Sequence, residues 1–145
     1  MVDFKYAPRL DIGFIDREHQ KAFDDANALK GLLESALEAS KPVAADIENL
    51  LQTLLSDTIN HFALEEKQMR EYQFPALDIH RKEHQRVLKW MEKEHRRWQL
   101  DQSVETIVHL QHYAGEQFPA WLLNHIVTMD TAMASYLRSH GGDAL

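Results

Sequence analysis

The sequence contains no cysteine among its 145 residues. Disulfide bonds and thiolate metal sites are therefore excluded, and the absence fits a reducing compartment. No apolar run is long enough to span a membrane. The first residues, Met1-Val2-Asp3-Phe4-Lys5-Tyr6, lack the basic region followed by an apolar region that a signal peptide has. Together these absences predict a cytoplasmic protein without a membrane segment.

Positive charge is also scarce. The chain has 16 Lys and Arg residues against 23 Asp and Glu residues, which gives a formal net charge of -7. The basic residues are scattered along the chain, so the sequence argues against a surface for nucleic acid or anionic membranes. An unidentified protein partner stays open.

Strand-like alternation, internal repeats and low-complexity tracts are absent as well. Apolar residues instead recur three and four positions apart, which is typical of helices with one buried face. At 145 residues and 44% hydrophobic composition, the chain can bury a proper core in one domain. We expect a single domain over residues 1–145, with an ordered arm over residues 1–15 and a helical bundle over residues 16–139.

Start and stop signals divide this domain into four long helices. Asp16 is the expected N-cap of the first helix, which should run to about Ala39 before Ser40-Lys41-Pro42 interrupts it. The second helix should run to about Tyr72. Phe74-Pro75 stops it there, because a residue before proline avoids the α-helical conformation.

The third and fourth helices follow in the same way. The third carries an apolar seam from Leu77 to Trp98, and Asp101-Gln102-Ser103 offers caps for the fourth, which Gly141-Gly142 should end. Pro119 removes one backbone hydrogen bond inside the fourth helix and predicts a kink or a split there. Four long helices with short loops predict an all-α, up-down-up-down antiparallel four-helix bundle.

A histidine and a glutamate interrupt the apolar seam of the second helix. His61 and Glu65 lie four residues apart, about one helical turn, so both side chains point from the same face. A carboxylate buried on that face without a partner costs several kcal/mol or becomes protonated. The pair therefore needs a cation or hydrogen bonds.

The other helices carry similar residues at matching heights. In an antiparallel pair, residues equally far from the connecting turn lie at the same level of the bundle. On this basis, one level collects five of the nine histidines and two carboxylates: His19, His61, Glu65, His80, His84, His125 and Asp130. An HxxxH or HxxxE spacing by itself is about as likely to arise by chance as to mark a ligand pair. Seven imidazole and carboxylate side chains converging in a core, however, indicate metal ions.

The donor types indicate which metals, and how many. Imidazole and carboxylate without thiolate suit iron or manganese, and seven side chains are too many for one ion. Two six-coordinate ions with two bridging carboxylates and one oxo or hydroxo bridge would leave one position open. Helix spacing groups His80, His84 and His125 on one ion and His19 and His61 on the other. The open position then lies on the second ion and suits a small neutral molecule such as O2.

These motifs resemble the hemerythrin family, in particular its bacterial single-domain members. The resemblance rests on His19, the HxxxE of His61 and Glu65, the HxxxH of His80 and His84, and Trp121-Leu122-Leu123-Asn124-His125-Ile126 followed by Asp130. It extends over roughly residues 12 to 138, and each of the seven family ligands has a counterpart. Residues five apart lie about 140° apart on an α-helix, so His125 and Asp130 must flank the seam or the helix must widen between them.

The resemblance implies a non-haem di-iron centre, bridged by oxo or hydroxo, that binds O2 reversibly. Glu65 and Asp130 would bridge the two irons. The residues that correspond to the family's O2 pocket are Phe62, Trp121, Leu122, Ile126 and Val127.

Reversible O2 binding for storage, delivery or sensing, without enzymatic turnover, is therefore the leading hypothesis, with NO or peroxide as other possible ligands. The alternatives are a di-iron oxidase, peroxidase or iron-centre repair protein, and an NO-sensing or redox-sensing signalling module. Ferritin-like di-iron sites use four carboxylates and two histidines. A set of two carboxylates and five histidines disfavours oxidation chemistry, because fewer anionic donors stabilise high-valent iron less.

The remaining histidines, His95, His109, His112 and His140, have no place in this centre. Glu92 and His95 form an ExxH pattern, and His95 and His109 should lie level near the turn between the third and fourth helices. We expect histidines hydrogen-bonded at a helix interface there rather than a second metal site.

Overall fold

The computed structural model describes residues 4–38 and 43–141. The first three helices are α1 (Gly13–Leu37), α2 (Ala44–Glu71) and α3 (Leu77–Leu100). The part of the chain that is described contains no β-strand. The expected end of the first helix at Ala39 and the break at Ser40-Lys41-Pro42 lie outside the described residues.

The fourth helix is long and built from five consecutive pieces. They are α4 (Val104–His112), a π-helical turn π1 (Tyr113–Gln117), α5 (Phe118–His125), a second π-helical turn π2 (Ile126–Asp130) and α6 (Thr131–Ser139). The helix packs on α1 and α3, while α2 packs between α1 and α3, as a four-helix bundle requires. The predicted all-α four-helix bundle with a bent fourth helix is confirmed.

The predicted break at Pro119 takes the form of the π1 turn. The Phe118 amide donates to the carbonyl of Tyr113, five residues back, immediately before the proline. Proline has no amide hydrogen to donate. Pro119 therefore follows directly on the turn where the backbone hydrogen bonds change from four-residue to five-residue spacing. The helix therefore bends without ending.

The start of α1 differs from the expectation. The helix begins at Gly13, and Ile12 occupies the N-cap position without a side-chain cap. Asp16 lies inside the first turns, where its carboxylate accepts hydrogen bonds from the amides of Leu10 (2.7 Å) and Asp11 (3.1 Å). Asp16 therefore binds the segment before the helix instead of capping the helix. Within that segment, Asp11 adopts a positive φ of 60°.

The segment before α1 lies on the bundle. Leu10 and Ile12 are buried in the core, and Arg138 of α6 donates a hydrogen bond to the carbonyl of Leu10. Gln20 accepts a hydrogen bond from the amide of Ala7 at 2.9 Å. These contacts join residues 7–12 to α1 and to α6.

The turns between helices follow their local sequence. Ser103 caps α4 by accepting a hydrogen bond from the amide of Thr106 at 3.3 Å, as predicted. Gly141 has a φ of 90° just beyond α6, a conformation that favours glycine at a helix end. Between α2 and α3, the Tyr136 hydroxyl donates to the carbonyl of Tyr72 at 2.7 Å and fastens the turn to the fourth helix.

Among residues 4–38 and 43–141, no helix combines the length and the apolar character needed to cross a membrane.

Candidate metal centre

The bundle brings the seven predicted donor residues together in its interior. Each is at most 7% exposed, and every bundle helix contributes at least one of them. α1 contributes His19, α2 contributes His61 and Glu65, α3 contributes His80 and His84, and the fourth helix contributes His125 and Asp130. Their apolar neighbours at three- and four-residue spacing form the core that buries them.

Glu65 lies between two groups of histidines. Its Oε2 atom is 3.0 Å from Nε2 of His61 and 3.9 Å from Nε2 of His19. Its Oε1 atom is 3.3 Å from Nε2 of His84 and 3.9 Å from Nε2 of His80. Each oxygen of the carboxylate therefore faces a different pair of imidazoles, which is the arrangement a bridging carboxylate needs.

The two carboxylate oxygens of Asp130 also face different histidines. Its Oδ2 atom is 3.1 Å from Nε2 of His19, while Oδ1 is 3.0 Å from Nε2 of His80 and 3.1 Å from Nε2 of His125. The π2 turn spans Ile126–Asp130 and widens the helix, so that His125 and Asp130 reach the same point although they are five residues apart. Of the two expected solutions for this spacing, the structure uses the local widening.

The cluster does not satisfy its own hydrogen-bonding groups. The Nε2 atoms of His80 and His125 lie 3.2 Å from each other and share one partner, Oδ1 of Asp130. Buried polar groups almost always have partners, and leaving one without costs about 1–3 kcal/mol, more if it is charged. The inward atoms of the cluster that have no hydrogen-bond partner are His19 Nε2, His61 Nε2, His84 Nε2, Asp130 Oδ2 and both oxygens of Glu65. Cations between these atoms would satisfy them, so the residues present fit a metal centre.

The geometry of the donors defines two groups that share a residue. Glu65, His80, His84, His125 and Asp130 each offer one donor atom within 4.8 Å of the others, and His19, His61 and Glu65 do the same. The division into three histidines and two histidines matches the one that helix spacing predicts.

The histidines around Glu65 and Asp130 keep both carboxylates charged. Burial lowers the pKa of His61, but the nearby carboxylates of Glu65 and Glu18 outweigh it and raise the pKa to about 10. Burial raises the pKa of Glu65 and Asp130, yet their neighbouring histidines lower it further, to well below the usual range for carboxyl groups. Two charged carboxylates in the core are the groups that a bound cation would neutralise.

A cavity of about 280 Å³ opens between α1, α2 and α5. Two of the seven donor residues, His19 and His61, line it, whereas His80, His84 and His125 do not. Its apolar wall includes Phe62, Trp121 and Leu122, three of the five residues expected in a ligand pocket.

The other two expected pocket residues lie elsewhere. Ile126 is fully buried but does not line the cavity, and Val127 is 51% exposed. Neighbouring residues on a helix point in different directions, so the inward position of Ile126 turns Val127 towards solvent.

Comparison with known proteins agrees with this geometry. A family model described as the hemerythrin HHE cation binding domain matches residues 10–137. The chain belongs to the hemerythrin family. The predicted family is thereby confirmed, and together with the buried cluster it supports a metal-binding role for the chain.

Three bacteriohemerythrins are among its relatives. The protein from Ralstonia nicotianae (strain ATCC BAA-1114 / GMI1000) is 32% identical over 125 residues, covering 85% of this chain and 85% of the relative. Those from Aquifex aeolicus (strain VF5) and Stenotrophomonas maltophilia (strain R551-3) are 27% and 24% identical, covering 86% and 90% of this chain and 88% and 78% of the relatives. No solved structure matches the chain significantly.

Two further carboxylates contact histidines of the cluster from its outer side. Glu18 Oε2 lies 2.5 Å from Nδ1 of His61, and Glu66 Oε2 lies 2.9 Å from Nδ1 of His84. A carboxylate on the outer nitrogen fixes which nitrogen of the ring faces a metal and makes the ring a stronger donor. Sequence reasoning missed both residues. Each directly neighbours a donor in the chain, but that position alone does not show which histidine it reaches.

Aromatic rings hold two of the histidines in place. Phe62 stacks on His84 with ring centroids 3.7 Å apart, and Trp121 stacks on His125 at 4.7 Å. Trp121 is itself fixed, because its indole nitrogen donates to Glu83 Oε1 at 3.0 Å. The cavity wall and the histidine positions therefore depend on the same rings.

The four remaining histidines lie apart from this centre. His95 Nε2 is 2.8 Å from Glu48 Oε1, which joins α3 to α2, and His109 Nε2 is 2.7 Å from Glu94 Oε2, which joins α4 to α3. Neither pair belongs to a group of donors that could hold a metal within the described residues. These histidines connect helices, as expected. His112 lies 2.9 Å from Glu116, and His140 stacks on Tyr136.

Proposed function

We propose that this protein binds O2 reversibly at a di-iron centre, for storage, delivery or sensing of O2, and without enzymatic turnover. Two observations support the choice of metal and ligand. The donor set is five imidazoles and two carboxylates without thiolate, which suits iron. The cavity beside it has an apolar wall, which suits a small neutral molecule.

The proposed ligand assignment follows the two donor groups. His80, His84 and His125 would hold one iron, His19 and His61 would hold the other, and Glu65 and Asp130 would bridge them together with an oxo or hydroxo group. In this assignment the iron held by two histidines would have fewer protein donors than the other and could take the ligand. When bound, two ferrous ions supply the two electrons that O2 takes up reversibly.

One observation carries the proposal. The cavity reaches the two-histidine side of the cluster, at His19 and His61, and none of the other three histidines lines it. Counting donors also leaves the open position on this side. The cavity and the proposed open coordination position therefore lie on the same side of the cluster.

The apolar wall has a function of its own in this proposal. Phe62 and Leu122 are 2% and 4% exposed, and both lie on the cavity beside the histidines. Apolar side chains exclude water and protons from the site, which favours release of the bound molecule unchanged over its conversion. The carboxylate count points the same way, because a centre with two carboxylates stabilises high-valent iron less than the four of ferritin-like sites.

The decisive experiment exposes the anaerobic, ferrous protein to O2. We expect about two irons per chain and a visible charge-transfer absorption that appears with O2 and disappears when O2 is removed under argon. The cycle should repeat without loss of iron. Irreversible oxidation on the first exposure, or consumption of added peroxide or reductant with turnover, would favour the enzyme alternative. A spectral response to NO but not to O2 would favour a sensor of NO.

Replacing a wall residue tests the pocket. Leu122→Ala should enlarge the cavity and change the O2 release rate or the autoxidation rate by roughly tenfold, since water gains access to the site. Stopped-flow release and the decay of the oxygenated spectrum measure these rates. Leu33→Ala is the matched control, because Leu33 is fully buried in the same core but does not line the cavity. Both variants should lose about 2–5 kcal/mol of unfolding free energy. Equal kinetics in the two variants would remove Leu122 from the ligand route.

A further inference from the structure

The outer part of the cavity is charged, in contrast to its apolar interior. Three carboxylates and one ammonium line it: Glu18, Asp25, Asp57 and Lys21. We refer to these four residues as the acidic mouth. Carboxylates outnumber ammonium groups three to one in this set, so negative charge predominates there. Glu18 is the carboxylate nearest the centre, with Oε2 2.5 Å from Nδ1 of His61.

Ion pairs hold the acidic mouth together across two helices. Nζ of Lys21 lies 2.8 Å from Oδ2 of Asp25 on the same helix and 2.5 Å from Oδ2 of Asp57 on α2. Lys21 and Asp57 are 53% and 46% exposed, so this pairing contributes little to stability. Its position is more informative than its strength, because these partly exposed side chains line a cavity that also contacts the buried His19 and His61.

Those buried groups show that the cavity leads to a site. His19 and His61 line it at 1% and 7% exposure, and the Nε2 atom of each lacks a hydrogen-bond partner. Because the acidic mouth lines the same cavity, an ion or molecule that reaches these nitrogens through it would pass close to those charges. Fixed charges beside a low-dielectric cleft raise or lower the entry rate of ions according to their sign, and leave neutral molecules unaffected.

We propose that the acidic mouth is a charge filter, which admits neutral ligands such as O2, slows small anions and speeds the entry of metal cations. The inference rests on the proposed function, because it assumes that ligands reach the centre by this cavity. It adds a selectivity that the apolar wall alone does not provide. A cavity lined only by Phe62 and Leu122 would not distinguish cations from anions by sign.

Two single substitutions shift the filter in opposite directions. Asp57→Asn removes one negative charge from the mouth, and Lys21→Gln removes one positive charge. For one charge several ångströms from the path at 0.1 M salt or below, we expect a change in entry rate of about two- to five-fold. The combined variant Asp57→Asn/Lys21→Gln restores the original net charge and should restore the original rates.

The experiment measures entry of three probes of different charge. The probes are azide on the diferric protein, O2 on the diferrous protein and Fe2+ on the metal-free protein, each followed by stopped-flow absorbance. In Asp57→Asn, the ratio of the azide rate to the O2 rate should rise about two- to five-fold and Fe2+ uptake should slow by a similar factor. In Lys21→Gln both changes should reverse. The differences should shrink at 1 M salt, where the screening length is only about 3 Å.

The control is Glu92→Gln, which removes the same charge from an exposed position on α3 that does not line the cavity. It should leave the azide-to-O2 ratio and Fe2+ uptake unchanged. Rates that do not respond to Asp57→Asn or Lys21→Gln, or that respond equally to Glu92→Gln, would overturn the filter and leave O2 binding intact. Opposite shifts for azide and Fe2+ in a protein that does not bind O2 reversibly would overturn the proposed function and retain the filter. Failure of all three probes to bind would overturn both.

Discussion

Replacing Glu65 by glutamine should reduce the iron content of this protein from about two per chain to less than one. Glu65 belongs to both donor groups, with one oxygen 3.0 Å from His61 and the other 3.3 Å from His84. Glutamine keeps the shape of the side chain but loses the charge and replaces one oxygen with an NH2 donor, which cannot bind a cation. Iron analysis after loading and desalting, together with titration of Fe2+, measures the loss.

The neighbouring residue provides a matched variant. Glu66 contacts the outer nitrogen of His84 and offers no oxygen to the centre, so Glu66→Gln should keep two irons and weaken their binding about 10- to 100-fold. Glu71→Gln, at the exposed end of α2, should change neither quantity. Two tightly bound irons in Glu65→Gln would contradict the bridging role of this carboxylate. Equal losses in Glu65→Gln and Glu66→Gln would contradict the distinction between them.

Removal of the metal should lower the stability of the whole bundle. Without cations, five histidines and two carboxylates stay buried with several inward atoms lacking partners, a cost that the unfolded chain does not have. Iron at a free concentration of a thousand times its dissociation constant should raise the unfolding free energy by about 4 kcal/mol. Anaerobic thermal denaturation at several Fe2+ concentrations measures the shift.

Two controls separate metal binding at the centre from general salt effects. Mg2+ prefers oxygen donors and should give no comparable shift at the same concentration. Glu65→Gln should lose most of the response to Fe2+, because its donor groups are no longer complete. Unfolding curves that coincide with and without iron would show that the cluster does not hold metal in the folded state.

Family and helix pattern could be derived from the sequence because both depend on local spacing. His61 and Glu65, and His80 and His84, are four residues apart, and this spacing puts each pair on one face of its helix wherever the helix packs. Matching distances from the turns then predicted a common level for His19, His125 and Asp130, since antiparallel helices rise uniformly. The metal-ligand roles of these residues stay predictions that the iron measurements above test.

Capping residues predicted the start of a helix less well where the same side chain can bind amides of another segment. Ser103 caps α4 as its sequence suggests, whereas Asp16 binds the amides of Leu10 and Asp11 and leaves α1 to begin at Gly13. Both residues are good caps by type. Only the packing of the preceding segment on the bundle, helped by Arg138, decides which amides Asp16 reaches.

The sequence by itself determined the family, the four helices and the seven residues that share one level, because periodicity and motif spacing are properties of the chain. The tertiary structure decided how these residues meet. The π2 turn brings Asp130 to His125, the two oxygens of Glu65 face different histidines, and Glu18 and Glu66 reach imidazoles on neighbouring helices. It also decided that the cavity opens at His19 and His61, and that Val127 points to solvent. Such features depend on the rotation and separation of packed helices, which spacing along one helix does not specify.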